Sequence, residues 1–166
     1  MQKARDKILG RDRLARKVKA LRRAGKRVVF TSGCYDLLHV GHLRSFEQAA
    51  ALGDVLIVGV NRDARVRQLK GSGRPLVPER QRAEMLAGLA VIDYVALFGE
   101  DDAAALIRSI APDIVCKGGE YRGRRIPEQD AIESVGGRFQ HLRQTPGVRT
   151  TNLLERAGAL TPRSKR

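Results

Sequence analysis

Two histidines three residues apart, His39 and His42, lie in the run Gly33-Cys34-Tyr35-Asp36-Leu37-Leu38-His39-Val40-Gly41-His42. A β-branched and aromatic segment precedes the run and a helical pattern follows it. On the first turn of a helix this spacing sets both imidazoles on one face, and the helix N-terminus adds backbone N–H groups and the positive end of its dipole. Gly41 leaves the backbone bare where an anion must come close. Such an arrangement suits a triphosphate attacked at its α-phosphorus: the leaving pyrophosphate gains charge, and two N–H donors stabilise it. Paired helical histidines also serve as zinc ligands or as plain structural residues. Here the pair opens a helix after a buried strand, with no third ligand or catalytic glutamate nearby, so no metal-ligand set is expected.

Other candidates are cationic or hydroxylic. Lys70 and Arg74 sit in a glycine-flanked connection, from which a cation can close on a phosphate; either one alone also reads as a solvated loop charge. Arg82 lies on the helix after that connection, where a surface charge is the ordinary reading. Lys117-Gly118-Gly119 directly follows an apolar strand, which puts Lys117 at a sheet's carboxyl edge with glycines that admit a ligand to the backbone. Thr150 and Thr151 open the last helix, where hydroxyls and amides can cap the helix, bind phosphate, or do both.

The elements that must position these groups alternate. Asp12 is expected to cap a helix whose apolar residues Leu14, Val18 and Leu21 keep helical spacing, with Gly25 as terminator. Strands are expected at 27–32, 55–60, 94–97, 114–116 and 138–141, and helices at 40–52, 79–89, 103–110 and 150–157. Strands separated by helices predict a Rossmann-like, doubly wound parallel sheet in a single α/β domain, with ligands beyond the carboxyl ends of the strands. The connections 62–78 and 118–127 are long enough to be functional. The expected organisation is a basic helical segment at 1–26, a domain at 27–158 and a disordered tail at 159–166.

At 166 residues and 42% hydrophobic content, one compact domain with a real core is expected, with little room for a second. The formal charge of +14 is uneven: residues 1–27 carry twelve cations against Asp6 and Asp12, a net +10, and the last four residues add +3, which leaves +1 for residues 28–162. The stretch with the chemical motifs is therefore nearly neutral. Aromatics are only 4% and none is interleaved with the basic run, which argues against a nucleic-acid-binding protein, the reading of a different class that the charge raises. Cys34 and Cys116 form no CxxC and are expected as reduced thiols. No apolar run long enough to span a membrane is present, and the charged start is unlike a secretory signal, so a cytoplasmic protein without membrane partners is expected.

The stretch Thr31 to His42 resembles the signature of the cytidylyltransferase-like nucleotidyltransferases, whose HxGH histidines bind nucleotide phosphates and stabilise the transition state. Asn61-Arg62-Asp63, Leu69-Lys70-Gly71-Ser72-Gly73-Arg74-Pro75, Gln81-Arg82, Lys117-Gly118-Gly119-Glu120-Tyr121 and Thr150-Thr151-Asn152 follow in order. Together they are similar to the adenylyltransferase domains of ADP-heptose synthases, from about Lys7 to Arg156. The resemblance implies catalytic roles for His39, His42 and Lys70. It implies nucleotide contacts at Thr31, Gly33, Cys34, Tyr35, Asp36, Gly41, Lys117, Gly118, Thr150 and Thr151, and sugar-phosphate contacts at Lys70, Arg74, Arg82, Lys117, Glu120 and Tyr121. ATP is the implied nucleotide substrate, with Mg2+ carried on the triphosphate, and a heptose 1-phosphate the acceptor. The partners expected are these small molecules and further copies of the chain, in a homodimer or larger homo-oligomer, with no specific nucleic acid. Two departures stand out: Gly147-Val148-Arg149 precedes the threonines where the family has a serine among small or apolar residues, and Tyr35 replaces a usual phenylalanine. Glycerol 3-phosphate cytidylyltransferases share the HxGH motif and form the rival within the class; the stretches 69–75 and 117–121 distinguish the two.

Overall fold

The computed structural model describes residues 3–118, 125–148 and 150–160. Five strands, β1 (Val28–Gly33), β2 (Val55–Asn61), β3 (Tyr94–Phe98), β4 (Ile114–Lys117) and β5 (Arg138–His141), form one parallel sheet in the order β3-β2-β1-β4-β5. The helices are α1 (Arg11–Arg23), α2 (Val40–Ala50), α3 (Asp63–Lys70), α4 (Glu79–Ala87), α5 (Ala104–Ile110), α6 (Gln129–Ser134) and α7 (Thr150–Leu160). The chain winds outward from β1 through β2 to β3, then returns to β4 on the other side of β1. The switch point thus falls between β1 and β4, where Thr31 pairs with Cys116. Ligands bind at such a point because the connections leaving the two strands part to opposite sides.

Each sheet face carries its own core. Val28, Phe30, Ile57, Ala96 and Val115 pack with Leu14 and Val18 of α1, Leu106 and Ile107 of α5, and Ile132 of α6. Val29, Leu56, Val58, Val95 and Cys116 pack with Phe46 of α2 and Ala83 and Leu86 of α4. Burial on both faces explains why β1, β2 and β4 read as unbroken apolar runs, whereas β5, at the sheet edge, alternates. One aspartate before each of three strands fixes register at the amino edge. Asp54 accepts the Arg27 amide at 2.8 Å, Asp93 the Leu56 amide at 2.8 Å and Asp113 the Val28 amide at 2.7 Å. The carboxyl edge is left to the loops.

The sequence expectations differ from this architecture in four places. Asp12 does not cap α1: Gly10 holds the cap position and Asp12 sits in the first turn, where its charge still complements the helix dipole. The connection 62–78 contains α3, ended by Gly71 at φ 99°, a left-handed geometry that favours glycine. A 3-10 turn at Ala4–Lys7 and the short helix α6 have too few turns for an apolar period to show. Glu120, Tyr121, Arg149 and the expected tail beyond residue 160 lie outside the described residues. Among the described residues no helix is long and apolar enough to cross a membrane.

Candidate active site

The signature run leaves β1 at Gly33 and reaches α2 through a turn in which Tyr35 takes φ 46°, the left-handed region. That turn carries the Tyr35 ring back under the strand end, 3.1 Å from where a Cβ on Gly33 would stand. His39 is the residue before α2, extended at φ −144°, ψ 169°, and its carbonyl accepts the amide of His42 at 2.9 Å. The two imidazoles stack face to face, with centroids 3.9 Å apart and planes at 15°. Tyr35 meets His42 edge-on at 5.4 Å, and Phe46, one turn on, stacks behind His42 at 6.5 Å. A Cβ on Gly41 would lie 2.9 Å from Nδ1 of His39, so this glycine is needed first by the histidine ring that rests on it.

Both rings are held neutral. Burial pushes the His39 pKa below its ordinary value, and burial followed by the charge of His39 lowers His42 to about 4. Nδ1 of each ring is buried with no hydrogen-bond partner among the described residues. That leaves Nε2 of each ring as the atom able to meet an anion.

Two cavities adjoin at this pair. The smaller, about 310 Å3, is lined by His39, Gly41, Ser45, Phe46, Leu142 and the segment 144–148. The larger, about 490 Å3, is lined by Gly33, Cys34, Asp36, Asn61, Leu69, Lys70, Arg74, Lys117, Thr150 and Thr151. Ser32, Tyr35, His42 and Gly118 belong to both walls, so the cavities meet at the switch point; Thr31 lines the smaller one. Thr150 and Thr151 are the first residues of α7, and the helix N-terminus opens on the larger cavity.

The charged candidates differ in how committed they already are. Lys70, the last residue of α3, is exposed on the larger cavity. The Asp36 carboxylate, 1% exposed, accepts Arg74 Nε at 2.6 Å and the amides of Leu76 and Val77 at 2.9 Å. Burial alone would raise its pKa, but those amides and the Arg74 guanidinium outweigh it and hold the carboxyl below the usual range. Asp36 therefore anchors the 74–77 loop to the signature run. Lys117 pairs with Glu128 at 2.5 Å. Burial raises the Cys34 thiol pKa against the pull of Lys70, Arg82 and Arg74, so it stays protonated at neutral pH.

Arg82 is placed otherwise than a substrate contact requires. Its fully buried guanidinium donates to the carbonyls of Cys34, Asn61 (2.7 Å) and Val77 (2.9 Å) and pairs with Asp63 at 2.8 Å. It lines neither cavity and instead ties together, from behind, the signature run, the end of β2 and the 74–77 loop, three of the segments around the larger one. Asn61, Gly147 and Val148, which the resemblance names without a site role, line the cavities, and so do Leu142 and residues 144–146, which it does not name. A polar residue closing the apolar run of β2, and Pro146-Gly147 after the last strand, were the available signals.

A family model described as cytidylyltransferase-like matches residues 30–156. Curated relatives include bifunctional protein HldE of Syntrophotalea carbinolica, 47% identical over 150 residues, which are 90% of this chain and 31% of that protein. The proteins of the same name from Geotalea uraniireducens and Pelobacter propionicus are 46% and 47% identical with the same coverage. The chain thus spans about a third of the length of the curated relatives it matches. Among solved structures, a lipopolysaccharide core biosynthesis protein from Thermoplasma volcanium superposes with a TM-score of 0.59 at 30% identity, covering 73% of this chain and 98% of that one. The family match begins inside β1 and ends in α7, and so contains the whole lining of both cavities; the chain belongs to the cytidylyltransferase-like family of nucleotidyltransferases.

Proposed function

We propose that the chain transfers the adenylyl group of ATP to a heptose 1-phosphate, giving ADP-heptose and pyrophosphate. The observation that carries this is the shared wall at His42, between a cavity floored by Phe46, Leu142 and Val148 and one edged by Lys70, Arg74 and Lys117. A chamber with an apolar floor and polar rim suits a nucleoside, and one edged by cations suits sugar and phosphate groups, so a triphosphate bridging them passes the two imidazoles. The acceptor is read from the resemblance of 69–75 and 117–121 to ADP-heptose synthases. Relatives called bifunctional, matched over about a third of their length, agree with one activity residing in that third. Similarity to a Thermoplasma protein of lipopolysaccharide core biosynthesis agrees with a sugar acceptor.

In this reading a phosphate oxygen of the sugar attacks the α-phosphorus in line. A P–O bond forms there, the bond to the β-phosphate breaks, and pyrophosphate leaves with the electron pair. No covalent enzyme intermediate is needed, because the acceptor oxygen is already anionic. His39 and His42 donate from Nε2 to the departing phosphates, and the amides opening α2 and α7 with the Thr150 and Thr151 hydroxyls complete the cradle. Lys70 and Lys117 hold the sugar phosphate. Gly33, Cys34, Tyr35 and Asp36 form the turn that aims the imidazoles. Magnesium enters as part of the nucleotide substrate, MgATP.

The test is a substrate matrix read by pyrophosphate release. ATP with a heptose 1-phosphate should outpace CTP with glycerol 3-phosphate. Preference for the second pair would replace the acceptor and keep the reaction class, whereas no release with any sugar or polyol phosphate would sink the proposal.

A further inference from the structure

Glu128 immediately precedes α6, and its side chain makes no capping bond to the helix. Its carboxylate turns inward instead. With its side chain only 2% exposed, it accepts the Lys117 ammonium at 2.5 Å and, at 3.4 Å, the amide of Ala103 at the start of α5. Its second oxygen, Oε2, is buried without a hydrogen-bond partner among the described residues. Lys117 ends β4 beside the switch point, its side chain 11% exposed on the wall of the larger cavity.

Stability does not account for this arrangement. Withdrawing both ions from water cancels most of their attraction, so an apolar pair of equal volume would stabilise the fold as well or better. Direction does account for it, because a lysine ammonium rides on a flexible four-carbon stem and needs a fixed counter-charge to hold one orientation. We propose that Glu128 is a positioning residue, its buried carboxylate fixing the Lys117 ammonium at the carboxyl end of β4 so that it meets the phosphate of the acceptor. This rests on reading the larger cavity as the acceptor's.

Glu128→Gln, Lys117→Met and the double variant are compared in the full chain, each checked for cooperative unfolding. Glu128→Gln should lower kcat/KM for heptose 1-phosphate roughly 10- to 100-fold, the scale of a misplaced contact group, and leave KM for ATP unchanged. In the Lys117→Met background the same change should cost nothing more, and Glu128→Asp should recover part of the loss. An unchanged kcat/KM, or equal losses in both backgrounds, overturns the proposal. A second measurement does not depend on turnover: the NMR signal of the isotope-labelled Lys117 ammonium, titrated with inorganic phosphate. It should respond in the wild type and be lost or unresponsive in Glu128→Gln; equal responses, or no wild-type signal, count against the positioning role. If the wild type turns over no sugar phosphate, the proposed function fails, and this titration still decides for or against Glu128.

Discussion

Two imidazoles stacked 3.9 Å apart cannot both carry a proton at little cost, and burial already disfavours the first. His42, at about 4 in the folded protein, lies below the value near 6.5 of an unfolded histidine. Between those values the unfolded chain binds the extra proton, so stability is fully present above about 6.5 and is lost as pH falls toward 4. Thermal unfolding followed over that window should show a steeper decline for the wild type than for His42→Gln; parallel curves would remove His42 from the acid response. Gly41 makes a second case. Its backbone angles suit any residue, and the nearest atoms to an added Cβ are those of the His39 ring, at 2.9 Å and 3.0 Å, and of Val148, at 3.6 Å. Gly41→Ala should therefore change the unfolding free energy by no more than about 1 kcal/mol while lowering turnover about 100-fold by swinging the ring aside. A large stability loss with turnover spared would mean that the ring yields without consequence.

At the scale of elements, the larger cavity is a meeting of segments that Arg82 holds from behind. The guanidinium's planar fork reaches three carbonyls and a carboxylate at once, and an ammonium has neither the reach nor the donor count. Arg82→Lys should destabilise the fold by about 2–4 kcal/mol, the cost of stranding buried partners, as read by urea unfolding. A variant as stable as the wild type would show those carbonyls to be satisfied otherwise. From sequence alone Arg82 reads as a helix-surface charge, because nothing local to α4 announces three acceptors contributed by distant segments. The signature run was legible because all its parts are local: a strand, a turn and a helix start in consecutive residues. The same locality made β1 to β5 and the longer helices readable from apolar runs and periods. The Asp36–Arg74 pair and the Lys117–Glu128 pair were not readable, since each joins residues that only the fold makes neighbours.

For the molecule as a whole, the basic excess of the first 27 residues divides into two sets. Arg11 pairs with Glu100, Arg22 with Asp113, and Lys17 lies 6.0 Å over the Tyr94 ring, so the cations flanking the buried stripe of α1 are tied to the body. Arg13, Arg16, Lys19 and Arg23 are exposed on α1 and form the outward set. Changing these four to glutamine should weaken retention on immobilised DNA and flatten its dependence on salt, because fewer counterions are released. Pyrophosphate release should be unaltered, since α1 lines neither cavity. A parallel fall in turnover would tie that face to catalysis.

The order β3-β2-β1-β4-β5 has a kinetic consequence. The signature run is synthesised well before β4, yet its strand is flanked on one side by β4, and Asp113, just before β4, grips Val28 across 85 residues of chain. Closing that span is entropically slow, and the cavity walls from β4, the 142–148 segment and α7 arrive only after it. A nascent or refolding chain therefore offers its nucleotide nothing to grasp until the barrier is nearly crossed. Bound ligand then acts as a brake on unfolding rather than as a guide to folding, lengthening the lifetime of the finished enzyme while leaving the rate at which new molecules are made ready untouched.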